Sequence, residues 1–327
     1  MGTEPVVLGA AGGVISSPPR IVSLIASATE IVDALGQLEY LVGRSHECDY
    51  PESVKSLPVC TRPRISTDAD SREIDRQVKL SSRTAVSIYE VFDDVLARLA
   101  PTHILTQIQC EVCAPSLRDV EQALARGIPG EPTIVSLQPD SLAQIWEDFR
   151  RVARALGVAE KGEDAVADFE RRMAALRPPP QSGPPPRVAC IEWMEPLMAA
   201  GNWMPELIRM AGGVNLFGED GRHSPWLTWE ELQNADPDVV IVAPCGFDLA
   251  RTQQEIHWMT ERPGWSDLRA VRSGRVYLAD GNRYFNRPGP RVVETLETLV
   301  EMLRPEFHEP RLRGDSWRVM MSSETWR

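Results

Sequence analysis

The chain has no basic footprint: Lys and Arg total 35 against 47 Asp and Glu over 327 residues, a formal net charge of -12. That balance weighs against nucleic acid and anionic membranes as partners, since both demand a positive surface. No apolar run reaches the roughly 18 residues needed to span a bilayer. The N-terminus, MGTEPVVLGAAGGVISSPPR, lacks the Lys/Arg start of a secretory signal. As written the chain therefore reads as cytoplasmic, and as periplasmic or cell-surface if a leader has been removed. Cysteine is sparse, with six in the whole chain, so no disulfide framework is implied. Also missing are a Gly-rich phosphate loop, a nucleophile elbow and an HExxH motif, so nothing proposes an enzyme. The expected partner is a small molecule, bound by a monomer.

What is present is alternation. RIVSLIAS is a short apolar strand followed by a helix, ATEIVDALG, and LEYLVG reads as a second strand. IYEVFDDVLARLAP (helix), THILT (strand), SLRDVEQALARG (helix) and TIVSL (strand) continue the pattern. Strands alternating with helices imply a parallel sheet covered on both faces. From Asp140 two helices follow one another with no strand between, the first with Leu142, Ile145, Phe149, Val152 and Leu156 on one face. The second would be about 27 Å long at the usual rise, enough to bridge two domains. After the stiff punctuator PPPQSGPPP the alternation resumes through RVACIEW, DVVIVAP and GRVYLAD to a last helix, RVVETLETLVEML. The expected fold class is α/β, two Rossmann-like parallel-sheet lobes joined by a long helix. Its predicted divisions are an N-terminal arm over 1–19, a first lobe over 20–139, linking helices over 140–177, a Pro-rich linker over 178–186, a second lobe over 187–304 and a poorly structured tail over 305–327.

In open parallel sheets ligands gather at the carboxyl ends of the strands. That rule brings His46, Glu47 and Cys48 of RSHECDYP to the same edge as Gln107, Cys110 and Cys113 after THILT. In the second lobe it collects Glu192 and Trp193, then Cys245, then Asn282, Tyr284 and Phe285, with Trp203 and Trp226 close by. Flat rings there suit a large flat or amphipathic ligand; a tryptophan in a globular protein is nevertheless more often core.

At these residues the sequence resembles the substrate-binding proteins of ABC importers, in the cobalamin and iron-siderophore class. The resemblance runs from about Arg20 to Leu303 and rests on RIVSLIASATEIVDALG, SHECDYP, SPWLTWEELQNADPDVVIV and NRYFNRPGPRVVETLETL. It implies a helical-backbone periplasmic-binding-protein fold, cobalamin or a similar metal chelate between the lobes, no required cofactor, and an ABC permease met by carboxylates at Asp94 and Glu230. It also implies aromatic ligand contacts, kept at Trp193 and at Tyr284 or Phe285. At Glu47 and Gln107 this chain departs from the aromatic pattern, and it carries an insertion around ISTDADSREIDRQVKLSSRTAVSIYE. The replaced aromatic floor leaves the cysteine pair open to several readings. A thioredoxin-like redox pair lacks its helix N-terminus, because the helix starts at Pro115 and Ser116 after both thiols. Zinc held by Cys48, Cys110, Cys113 and His46 has suitable ligand types. Direct ligation of a bound cobalt or iron is a third reading, and simple packing is what free cysteine does most often.

Overall fold

The computed structural model describes residues 18–84, 87–107, 120–123, 131–180, 183–307 and 309–320. Cys110 and Cys113 lie outside them. In the first lobe the order is β1 (Ile21–Ser23), α1 (Ala26–Ala34), β2 (Leu41–Arg44), β3 (Thr61–Pro63), α2 (Ser71–Thr84), β4 (Tyr89–Val91), α3 (Asp93–Leu99), β5 (His103–Gln107) and β6 (Thr133–Leu137). Two helices follow, α4 (Leu142–Ala155) and α5 (Ala159–Leu176). The second lobe holds β7 (Arg187–Met194), β8 (Leu197–Ala199), α6 (Met204–Met210), β9 (Val214–Asn215), α7 (Trp229–Ala235), β10 (Val239–Val242), α8 (Leu249–Glu255), α9 (His257–Thr260), α10 (Arg269–Arg272), β11 (Val276–Ala279), α11 (Val292–Leu303) and β12 (Trp317–Val319).

The first sheet has the order β2-β1-β5-β6 and is parallel throughout. The second runs β12-β11-β10-β7-β8, with β9 beside β7; β11, β10, β7 and β9 are parallel, and β8 and β12 are antiparallel edges. Strands covered on both faces need no polar side, which is why β10 is the unbroken run VVIV and is wholly buried. Alternate residues supply the two faces. Val188 and Cys190 of β7, with Val239 and Ile241 of β10, join one core, while Ala189, Ile191, Val240 and Val242 join another. The first core is continuous through both lobes: it takes Ile31 from α1, Ile145 and Phe149 from α4, Phe169 and Met173 from α5, and Leu296 and Leu299 from α11.

The apolar face expected of α4 is buried where the periodicity puts it, and its ring of Phe149 meets Phe169 of α5 edge-on at 5.2 Å. Ser141 caps α4 by accepting the Gln144 N–H. α4 packs on α1 and β6, whereas α5 packs on α11. The step from first lobe to second is therefore made along α5.

Three expectations are corrected. IYEVFDDVLARLAP opens as strand β4 over Tyr89–Val91 and is helical only from Asp93. The strand in LEYLVG begins only at Leu41, because Leu38–Tyr40 forms a 3-10 turn. The tail after Arg304 is ordered over 309–320. β12 pairs antiparallel with β11, and Trp317 is buried with its indole N–H donating to Glu301 Oε2 at 2.6 Å. The physical cause lies on α11, whose Glu297 and Glu301 are buried and need donors. Arg311 supplies its guanidinium to the first and its backbone N–H to the second.

Candidate functional site: the cleft between the lobes

The β2 exit turns back through Ser45–Tyr50. His46 Nδ1 lies 2.8 Å from Thr61 Oγ1, its ring centroid is 5.5 Å from that of Tyr89, and its Nε2 is 3.1 Å from Glu47 Oε1. Glu47 is half-buried. Cys48 is enclosed, with the Thr29 hydroxyl donating to its sulfur at 3.0 Å. Burial pushes its thiol up to about 11. Gln107 ends β5 as a buried residue.

Facing this loop is the β11 exit, which makes one π-helical turn over Gly281–Phe285. Gly281 is required there: a Cβ would lie 2.0 Å from the Pro244 carbonyl oxygen, on the neighbouring β10 exit. The segment then runs through Arg287 to Arg291 and touches the first lobe. Arg287 donates to Glu30 Oε1 at 2.9 Å and to Asp49 Oδ1 at 2.6 Å, and also reaches Asn282 Oδ1 at 3.2 Å. Arg291 donates to both oxygens of Glu30. Its guanidinium sits 4.5 Å from the ring of Tyr50 and 5.4 Å from that of Tyr284. The SHECDYP loop and the NRYFNRPGPR segment are thus brought together across the lobes. Burial works to raise the Asp49 carboxyl, but the Arg287 and Arg291 charges outweigh it and hold the group below the usual range. Burial opposes the Arg287 charge in turn, and Glu30 and Asp49 more than restore it.

The other expected residues divide. Tyr284 spends its hydroxyl on Asp315 of the tail at 2.6 Å, and Phe285 is packed in the core. Trp203 is buried with its indole N–H unpartnered, next to Asn202, whose Oδ1 is likewise buried without a partner. Trp193 is half-buried; its indole N–H donates to the carbonyls of Ser71 at 3.2 Å and Glu195 at 3.1 Å. Trp226 is 57% exposed, with Lys79 4.8 Å from its ring. Asp94 and Glu230 are exposed in the first turns of α3 and α7, Asp94 paired with Arg98 at 2.6 Å.

The zinc reading finds no support. Among the described residues no group of three or more His, Cys, Asp and Glu is placed to hold a metal ion. Cys48, with its pKa raised, is poorly disposed to give the thiolate that zinc requires.

Sequence reasoning missed the buried charges Glu30, Arg287 and Arg291. The available signal was a glutamate inside the apolar spacing of ATEIVDALG and two arginines flanking PGP. Asp280 was missed as well. It is buried, caps the π turn by accepting the Arg283 N–H at 2.7 Å, and burial pushes its carboxyl up to about 6. Because that folded value lies above 3.8, the folded state holds its proton longer than the unfolded state, and stability falls as pH rises from about 4 to about 6. Asp280→Asn keeps a capping oxygen and removes the ionisation. Equilibrium denaturation should find the variant equal to the parent below pH 4 and more stable by about 1–3 kcal/mol at pH 8; equal stability at both pH values would contradict the assignment.

Two sheets, the first parallel and the second parallel but for its edge strands, with exit loops that meet across the lobes and two linking helices between them, define a two-lobed solute-binding architecture. The chain belongs to the periplasmic binding protein family, whose model matches residues 21–282. Among curated relatives, the vitamin B12-binding protein of Vibrio cholerae serotype O1 is 23% identical over 287 residues, covering 87% of this chain and 89% of that one. Solved structures with the same fold include the periplasmic heme-binding protein RhuT from Roseiflexus sp. RS-1 (26% identical, TM-score 0.63, 88% of this chain and 99% of that one). Another is the vitamin B12-binding protein BtuF of Vibrio cholerae (22% identical, TM-score 0.62, 88% and 97%). Among the described residues no helix is long and apolar enough to cross a membrane.

Proposed function

We propose that the protein binds a corrinoid or a related metal chelate in the cleft between its lobes, as the solute-binding component of an ABC importer. The role is binding, not catalysis. The observation that carries it is the meeting of the two lobes' exit loops at Arg287 and Arg291, in a family member whose relatives include proteins named for vitamin B12 and heme. A ligand entering there meets the loop of His46 and Glu47 on one side and the Asn282–Arg291 segment on the other. The exposed carboxylates Asp94 and Glu230 are suited to meet cationic groups of a permease. The family description also favours the periplasmic location over the cytoplasmic one.

The test is a visible-absorption and calorimetric titration of the purified chain with cobalamin, cobinamide and haem. The expected result is stoichiometric binding of at least one of them, tighter than about 10 μM, or about -7 kcal/mol. Flat titrations with all three would sink the reading.

A further inference from the structure

The β3–β4 pair is a hairpin whose connection is the long segment 64–88. Pro63 faces Tyr89 in the ladder, and the Arg64 N–H donates to the Ile88 carbonyl at 2.7 Å, so the segment leaves and returns at one point. Between those ends lies α2, Ser71–Thr84. It crosses to the carboxyl edge of the second sheet, the edge where ligands gather in such folds.

The contacts are numerous and of different kinds. Ser71 is fully buried; its backbone N–H and its hydroxyl donate to Glu255 Oε2 at 3.2 and 3.1 Å, and the Trp258 indole N–H donates to the same oxygen at 2.9 Å. Its carbonyl takes the Trp193 N–H. Arg72 lies 4.4 Å from the ring of Trp258 and 3.4 Å from Glu195 Oε1. Ile74 packs into the core beneath that edge, and Lys79 lies 4.8 Å from the ring of Trp226. Arg251 of α8 reaches back to the carbonyls of Asp68 and Ala69. A charge over an aromatic face, and a buried carboxylate two of whose donors belong to Ser71, are held only while α2 stays in place.

We infer that α2 is the specificity element of the cleft: it covers the aromatic wall of Trp193 and Trp258 and confines the ligand to the side bounded by the His46 loop and the Asn282–Arg291 segment. The inference rests on the binding reading above for its ligand, but not for its geometry. A flat macrocycle reaching that wall would have to displace Arg72 from the ring of Trp258 and compete with Ser71 beside the indole N–H of Trp193, places that this chain occupies itself.

Two measurements test it. The first needs no ligand: hydroxyl-radical footprinting of the full chain and of a variant in which residues 64–88 are replaced by Asn-Gly, a two-residue connection suited to an antiparallel pair. Modification of Trp193 and Trp258 should rise about fivefold or more on excision, a change well beyond the factor of two that corresponds to about 0.4 kcal/mol. Arg72→Glu with Lys79→Glu, which sets a carboxylate beside Glu195 and removes both cation–ring contacts, should do the same if the excised chain fails to fold. Equal modification in all three chains would overturn the inference. The second measurement titrates whichever of cobalamin, cobinamide or haem binds. Trp193→Leu should change the affinity less than about twofold in the full chain and weaken it about tenfold in the excised chain. A tenfold loss in the full chain would show that the ligand reaches Trp193 past α2, and the inference would fall while the binding reading stood. If no chelate binds, the binding reading falls, and footprinting alone decides the covering of the wall.

Discussion

Replacing Glu30 by alanine is expected to lower the unfolding free energy by about 3–5 kcal/mol, the usual cost of removing one member of a buried ion cluster. Glu30 is 1% exposed and takes hydrogen bonds from both Arg287 and Arg291, which are themselves buried. Without it, Arg291 loses its carboxylate and Arg287 keeps only Asp49. Two guanidiniums would then hold charge out of water with too little to offset it. Glu30→Gln should cost nearly as much despite its similar size, because an amide can accept a hydrogen bond but cannot neutralise a charge. The cluster links α1 and the β2 exit to the β11 exit, so its loss acts on the seam between the lobes. Urea denaturation of the three chains is the check; a cost below about 1 kcal/mol for alanine would mean the cluster is solvated, as exposed pairs are.

The second large effect belongs to the tail. Trp317→Ala should cost about 3–5 kcal/mol, the range for deleting a large buried ring. The ring packs edge-on to Tyr277 with centroids 5.3 Å apart, and its N–H donates to Glu301, a residue 1% exposed. Glu301 keeps the N–H groups of Arg311 and Leu312, so the substitution removes one donor of three. Trp317→Phe retains most of the ring and loses the donor, and should cost about 1–2 kcal/mol. A tail that contributed nothing would leave both chains with the stability of the parent.

How far each feature could be read from sequence follows from where its partners lie. The sheets were legible because strands buried on both faces are continuous apolar runs, as in VVIV, and the helices because Ile145, Phe149 and Val152 repeat at helical spacing. The linking helices were legible for the same reason. The tail was not, since three residues of strand give no alternation to detect and their partner helix precedes them in another pattern. The Arg287–Glu30 pair spans 257 positions, and nothing local distinguishes an arginine that will be buried from one that will be solvated. The insertion was visible as extra chain. That α2 would settle on the opposite lobe was not, because its polar face finds its partners among tryptophans and carboxylates distant in sequence.

The continuous core along α1, α4, α5 and α11 has a mechanical consequence. Neither half of the molecule closes its own hydrophobic surface: Ile145 and Phe149 of the first lobe and Leu296 and Leu299 of the second complete a single packed body. The two halves therefore melt together, and a fragment severed at the proline-rich stretch would expose an apolar flank and associate with other copies rather than persist as an independent domain.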